Sequence, residues 1–126
     1  MKKFGTLILG LIVGFGLFAS PAMAATVKKI TYGASAVSTA SVKATPGQIL
    51  GYSVFTPSGA SYLQFFDTST ITFGTTVPIW EDYVATTGLV RTFPFPLPFG
   101  TAIYVGLSTA SASGSTASAT ITLIYN

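Results

Sequence analysis

Beyond residue 25, short runs of Val, Ile, Thr, Phe and Tyr are separated by glycine- and proline-containing turn signals. This composition is typical of half-buried strands, and the close spacing of the turns is typical of an all-β sandwich or barrel. In the run ATITLIY (119–125), apolar residues alternate with threonines, which predicts one buried and one solvated face. No window shows the i, i+3, i+4 apolar spacing of an amphipathic helix. The pattern therefore predicts an all-β domain.

Nine segments satisfy the strand criteria, and two of them, Ser69–Phe73 and Val77–Ala85, flank the GTT turn. In the third segment, Leu50, Tyr52 and Val54 are expected to share the buried face. The nine segments are Thr26–Tyr32, Ala36–Ala44, Gln48–Thr56, Ser61–Asp67, Ser69–Phe73, Val77–Ala85, Leu89–Phe99, Ala102–Ser108 and Ala117–Tyr125. The low-complexity stretch between the last two, STASASGSTAS (108–118), is interpreted as a long exposed loop, with a flexible linker as the alternative.

The segment RTFPFPLPFGT (91–101) keeps the period of two although it contains three prolines. The prolines occupy alternate positions, so they remove N–H donors from one edge of a strand only. We expect an edge strand that pairs on one side and is blocked on the other. Its apolar residues Phe93, Phe95, Leu97 and Phe99 are expected to cover the core. The alternative is a polyproline ligand for an aromatic groove.

The N-terminus has the features of a secretory leader. Lys2 and Lys3 precede an apolar run, and Ala22 and Ala24 stand at the positions of an A-x-A cleavage signal. We expect residues 1–24 to be a cleavable signal peptide, with an uncleaved membrane anchor as the alternative. Residues 25–126 then form one domain of about 100 residues, exported to the periplasm or the cell exterior. Contact with a membrane is expected through the leader alone.

Removing the leader changes the charge balance from a formal +3 to four cations against three acids. Nucleic-acid binding is not expected, because it needs clustered cations and the one adjacent pair, Lys28 and Lys29, should point to opposite faces of a strand. The chain contains no cysteine, so its stability must come from packing or assembly. A surface with so few charges favours association, and we expect homo-oligomers.

The residues needed for most enzyme chemistry are missing from the sequence. There is no histidine or cysteine, and no glycine-rich phosphate-binding motif. The carboxylates are Asp67, Glu81 and Asp82. We interpret Asp67 as the end of a strand that caps the following DTST turn. A glycosidase pair, or a calcium site on Asp67 or Asp82, is the alternative. We therefore expect no enzyme activity and no cofactor.

The segment PIWEDY (78–83) carries the candidate ligand-binding residues Trp80, Glu81, Asp82 and Tyr83. Trp80 and Tyr83 could stack on a sugar ring while Glu81 or Asp82 binds its hydroxyl groups, as in a carbohydrate-binding module. The favoured interpretation is that the aromatic side chains pack inward, as aromatic residues in strands usually do, and the acids keep one edge soluble.

Four blocks of the sequence resemble a loose group of small phage- and prophage-encoded virion-associated proteins. The blocks are ATPGQILGYSVF (44–55), YLQFFDTS (62–69), FGTTVP (73–78) and FPLPFGTAIYVGLSTASASGSTASATITLIY (95–125). The resemblance implies a jelly-roll-like β-sandwich that assembles on a particle surface. The leader and residues 78–93 depart from the pattern of this group, which leaves a cellular surface protein with the same fold as the alternative.

Together, the patterns and the resemblance predict a single antiparallel β-sandwich, jelly-roll-like, of eight or nine strands. We expect an exported, non-enzymatic structural or surface-attachment subunit, bound to copies of itself or to other surface or virion proteins. A carbohydrate-binding module that uses Trp80 and Tyr83 to hold a glycan is the alternative function.

Overall fold

A computed structural model describes residues 24–33, 39–55, 58–72, 75–109 and 118–126. Eight strands lie within these ranges: β1 Thr26–Tyr32, β2 Thr39–Lys43, β3 Gly47–Phe55, β4 Ser61–Asp67, β5 Trp80–Val84, β6 Leu89–Phe99, β7 Ile103–Ser108 and β8 Ala119–Tyr125. The proposed leader falls outside the described residues except for Ala24, and most of the low-complexity loop, residues 110–117, also falls outside them. The described part of the chain contains no helix that could span a membrane.

The strands form two antiparallel four-stranded sheets. Sheet A has the order β1-β8-β3-β6 and sheet B has the order β2-β7-β4-β5. This alternation of successive strands between two sheets is the strand order of an eight-stranded jelly roll. The prediction of a jelly-roll-like antiparallel sandwich is therefore confirmed.

The expected strand at Ser69–Phe73 is wrong for its described part, residues 69–72. Hydroxyl groups compete with sheet pairing there: Thr68 Oγ1 donates to the Thr70 carbonyl at 2.9 Å, and the N–H of Thr72 donates to Thr76 Oγ1 at 3.0 Å. Side-chain to backbone bonds of this kind favour turns over strands.

The core lies between the two sheets and is built from the inward side chains of all eight strands. Residues such as Ile49, Phe65, Val105 and Leu123 are fully buried. The alternation predicted for β8 is confirmed, since Ala119, Ile121 and Leu123 are buried and the residues between them are not. The buried Tyr32, at the end of β1 in sheet A, donates its hydroxyl to the Val105 carbonyl of sheet B at 3.1 Å.

The proline-containing strand β6 lies at the edge of sheet A, where it pairs with β3 alone. Gln48, which lies opposite Pro98, exchanges both of its backbone hydrogen bonds with Asn126 at 3.1–3.2 Å. In an antiparallel pair, a residue directs its N–H and C=O to the same neighbour, so this part of β3 requires no donor from Pro98. The prediction of an edge strand paired on one side is confirmed.

The expected continuous aromatic face of β6 is wrong at its middle. The register with β3 moves from Ile49↔Leu97 to Gly51↔Thr92, so residues 93–96 form a bulge that projects from the strand. Phe95, in this bulge between two prolines, is 85% exposed. Phe93 and Leu97 pack against the core and Phe99 is buried, as predicted.

A second irregularity lies opposite, in β3, and corrects the expected face of that strand. Leu50 is an extra residue in the pairing with β8, which moves from Ile49↔Tyr125 to Gly51↔Ile124. Because one added residue inverts the alternation, Ile49, Tyr52 and Val54 are buried and Leu50 is only half-buried. Gly51 fits this bulge because a Cβ at that position would lie 2.7 Å from the Arg91 carbonyl oxygen.

The margin between β1 and β2, where the two sheets face each other, is closed by Lys28. Its Nζ donates to the carbonyl of Ser41 at 2.7 Å and to that of Val42 at 3.4 Å. These carbonyls lie where the register of β2 against β7 shifts between Ser41 and Lys43. The lysine therefore satisfies backbone acceptors on an edge strand and ties sheet A to sheet B.

Candidate functional site

Strand β5 separates the four predicted ligand-binding residues into two pairs on opposite faces. Trp80 packs against the core, and Asp82 accepts a hydrogen bond from the buried Tyr52. Tyr83 is 57% exposed, and Glu81 bonds to Gln64 of the neighbouring strand β4. Successive residues of a strand point to opposite faces, so Trp80 and Tyr83 cannot stack on the same sugar. The prediction of a joint Trp80–Tyr83 platform is wrong.

The inward pair forms a polar cluster between β5 and β6, the edge strands that face each other on this side of the sandwich. Asp82 Oδ2 accepts from the Tyr52 hydroxyl and, at 3.3 Å, from Trp80 Nε1. Asp82 Oδ1 accepts from Arg91 Nη2 at 2.8 Å, and Arg91 Nε is also ion-paired with the carboxylate. Burial, and then the bond to Asp82, raises the pKa of Tyr52. The bond to Asp82 likewise raises the pKa of Arg91.

Aromatic rings surround this cluster and continue into the core. The ring of Trp80 lies 5.2 Å from that of Phe93 in an edge-to-face arrangement, and Phe93 lies 5.9 Å from Tyr52. Tyr52 in turn lies 5.2 Å from Phe65. The guanidinium of Arg91 is 5.8 Å from the Trp80 ring. Tyr52, Trp80 and Arg91 all donate to Asp82, so the inward pair closes the β5–β6 margin. The interpretation that the aromatic residues pack inward and the acids keep an edge soluble holds for Trp80, but it is wrong for Tyr83, which is exposed, and for Asp82, which faces inward.

The outward pair lies on the exposed face of sheet B, beside two residues of β4. Tyr83 is in register with Tyr62, and the two rings meet edge-to-face at 5.5 Å. Glu81 is in register with Gln64, whose Nε2 donates to Glu81 Oε2 at 2.6 Å. We call these four residues, Tyr62, Gln64, Glu81 and Tyr83, the tyrosine platform.

Gln64 is the unusual member of the tyrosine platform. Its side chain is 1% exposed although it lies on the outer face of sheet B, and its Oε1 has no hydrogen-bond partner. Buried polar atoms are nearly always paired, so an unpaired acceptor requires an explanation. Tyr62 and Gln64 were not among the residues expected from the sequence, because their proximity to β5 depends on the β4–β5 register.

Asp67 has a structural role. It ends β4 as predicted, but its carboxylate accepts from the backbone N–H groups of Gly100, Thr101 and Ala102 at 2.7–3.3 Å. It therefore caps the β6–β7 connection and not the DTST turn. These bonds favour the charged form and lower the pKa of Asp67.

The oxygens of Asp67 and Asp82 already accept bonds from internal donors, which does not fit the alternative of a calcium site on either residue. Among the described residues, no three acidic side chains come together in a way that could hold a metal ion.

The outer face of sheet A combines exposed apolar residues with hydroxyl side chains and carries little charge. Apart from Phe95 in the β6 bulge, each of its four strands exposes one large apolar residue: Val27 on β1, Ile124 on β8, Phe55 on β3 and Val90 on β6. Their outward neighbours in the register are threonines and a serine, apart from Lys29 on β1 and the bulge glycine of β3. This face has the composition of a surface that associates.

Comparisons with models of protein families, with curated proteins and with solved structures gave no significant match.

Proposed function

We propose that the protein is an exported, non-enzymatic structural or surface-attachment subunit that associates with further copies of itself through the outer face of sheet A. The observation that carries this proposal is that each of the four strands exposes an apolar residue on a face where Lys29 is the charged residue. Val27 and Ile124 are register partners, and Val90 and Phe55 lie one and two outward positions further along the sheet. A second copy is the favoured partner because two such faces bring few charges together, whereas a charged partner would lose hydration without gaining an opposite charge.

The design of the sheet margins supports association through faces and not through strand edges. The projecting prolines of β6 cannot donate to an added strand. Lys28 occupies carbonyl groups of the edge strand β2. The β5–β6 margin is filled by the Asp82–Arg91 ion pair and the rings around it. Protected edges restrict uncontrolled strand addition and leave the flat face as the surface for ordered contacts.

The size of the face indicates weak contacts that are repeated many times. Four strands about 4.8 Å apart, each about 20 Å long, give a footprint of roughly 400 Å² on each partner. This is about half of the surface that each partner buries in a standard stable interface. A single contact is therefore weak, and an array on a virion or cell surface gains strength through multivalency. Jelly rolls occur in viral capsid and lectin domains, an analogy that is compatible with either location but selects neither.

Light scattering coupled to size exclusion tests the proposal at increasing concentration of purified protein. We expect the mass to rise with concentration, and Val90→Lys and Ile124→Lys to return the protein to a monomer. Val77→Lys is the matched control, because Val77 is 80% exposed but lies on the connection between β4 and β5. A wild-type monomer at the highest concentration, or equal effects of all three lysine substitutions, would contradict the proposal.

A further inference from the structure

We propose that the tyrosine platform binds a neutral hexopyranose unit of a polysaccharide, with Tyr83 as the stacking residue and Glu81 as the hydroxyl acceptor. This inference goes beyond the proposed function and does not depend on it, because the platform lies on sheet B while the associating face lies on sheet A. It replaces the Trp80–Tyr83 arrangement with a set of residues that the register of β4 and β5 brings to the same surface.

Tyr83 is positioned to stack. Its side chain is 57% exposed, and the edge-to-face contact with Tyr62 at 5.5 Å restrains the orientation of its ring. The C–H groups on one face of a pyranose pack against an aromatic ring in the way that apolar groups do. Because the ring of Tyr83 is already held by its neighbour, binding a sugar orders little that was mobile before.

Glu81 lies at the distance that a sugar requires. It is two residues from Tyr83 on the same face of β5, so the two Cα atoms are about 6.7 Å apart. A pyranose stacked on Tyr83 therefore extends its equatorial hydroxyl groups towards the carboxylate. Gln64 Nε2 holds Glu81 Oε2 at 2.6 Å and so fixes the direction of that acceptor. Gln64 acts here as a positioning residue.

The unpaired Oε1 of Gln64 is an independent indication of a ligand. A buried acceptor without a donor lies within the same side chain that orients Glu81. Because this atom is buried, a sugar hydroxyl group does not reach it directly, and a water molecule held beneath the bound sugar would supply the missing hydrogen bond. An apolar partner would leave this acceptor unpaired, so the platform fits a ligand that carries many hydroxyl groups.

The charge of the platform selects a neutral ligand. Among the outward-facing residues of β4 and β5, Glu81 is the charged one, so an acidic polysaccharide would be repelled. Strand β5 is also the edge strand of sheet B, so a long polymer bound on this outer face can extend beyond the sheet. An aromatic surface with a few directed polar groups is the usual composition of a sugar or small-molecule site.

Affinity electrophoresis tests this proposal with native gels that contain mixed-linkage β-glucan, xylan, galactomannan or dextran. We expect the wild-type protein to be retarded by at least one of them. Tyr83→Ala should weaken that binding at least tenfold and Glu81→Gln several-fold, while Tyr83→Phe retains it because the ring remains. Phe95→Ala is the matched control, since it removes an aromatic side chain that is more exposed and lies on the other sheet.

Two results would overturn the proposal: no retardation by any of the four polysaccharides, or equal losses in Tyr83→Ala and Phe95→Ala. The thermal unfolding of each variant shows whether it is folded, and Tyr83→Phe provides a second reading if the alanine variant is unstable. Val90→Lys, which disrupts the proposed association, should leave the retardation unchanged. The two proposals can therefore fail separately.

Discussion

Replacing Asp82 with alanine tests whether the carboxylate organises the β5–β6 margin. The change removes the acceptor of three donors, of which the Tyr52 hydroxyl is the most sensitive because Tyr52 is 3% exposed. Leaving a buried hydroxyl unpaired costs about 1–3 kcal/mol, and losing the longer Trp80 bond adds about 0.5–1 kcal/mol. Arg91 contributes little, since its side chain is 40% exposed and water can replace the carboxylate.

The substitution also removes the cost of holding a charged carboxylate at a site that is only 14% exposed, which offsets part of this loss. We therefore expect Asp82→Ala to lower the free energy of unfolding by about 2–3 kcal/mol. Urea unfolding measures the difference, with the fluorescence of Trp80, the single tryptophan, and far-UV circular dichroism as two probes. An unchanged slope of free energy against urea would assign the effect to the native state.

The double variant tests whether the unpaired Tyr52 hydroxyl causes the loss of stability. Tyr52→Phe removes the hydroxyl that Asp82→Ala leaves unpaired, so the cost of the two changes together should fall short of their sum by about 1–2 kcal/mol. If the two losses of unfolding free energy simply added, the unpaired Tyr52 hydroxyl would not be the main cause of the Asp82→Ala effect. A loss below about 0.5 kcal/mol for Asp82→Ala alone would show that the cluster is dispensable.

Two further predictions concern other parts of the sandwich. Asp67→Asn should destabilise the protein at neutral pH, and the difference from wild type should shrink as the pH falls below about 4. The reason is that the lowered pKa of Asp67 in the native state gives stability that is present above the unfolded pKa and is lost on protonation. Thermal unfolding from pH 2 to 7 measures the difference, and a pH-independent difference would contradict the prediction. Replacing Pro94, Pro96 and Pro98 together with threonine should keep the fold but increase aggregation, because the blocked edge of β6 gains backbone N–H donors. Thioflavin fluorescence and light scattering of matched samples measure the aggregation, and unchanged solubility would contradict the prediction.

The sequence predicts the strands well wherever local pattern decides the structure. The bounds of β1, β4 and β6 match the expected segments, because each is a β-rich run limited by turn residues. The edge position of β6 also follows from local chemistry, since proline removes a donor wherever it occurs. These features depend on properties of single residues and their immediate neighbours.

The sequence-based predictions fail where the structure depends on the register between two strands. The bulge at Leu50 removes that residue from the buried face shared by Tyr52 and Val54, and no local signal distinguishes it from a regular strand. The exposure of Phe95 depends on a shift of β6 against β3. The tyrosine platform depends on the register that places Tyr62 beside Tyr83 and Gln64 beside Glu81. A shift of one residue in the register of two neighbouring strands changes which side chains meet, and the sequence of either strand alone does not reveal it.

The strand order of sheet A constrains the time at which the domain can form. Strand β1 has β8 as its neighbour, about 90 residues later in the chain, and β8 also separates β1 from β3. During synthesis, β1 therefore cannot complete this pairing until β8 has been made. Contacts over such separations make folding slow, so β1 stays unpaired for longer than a strand that pairs with its neighbour in sequence.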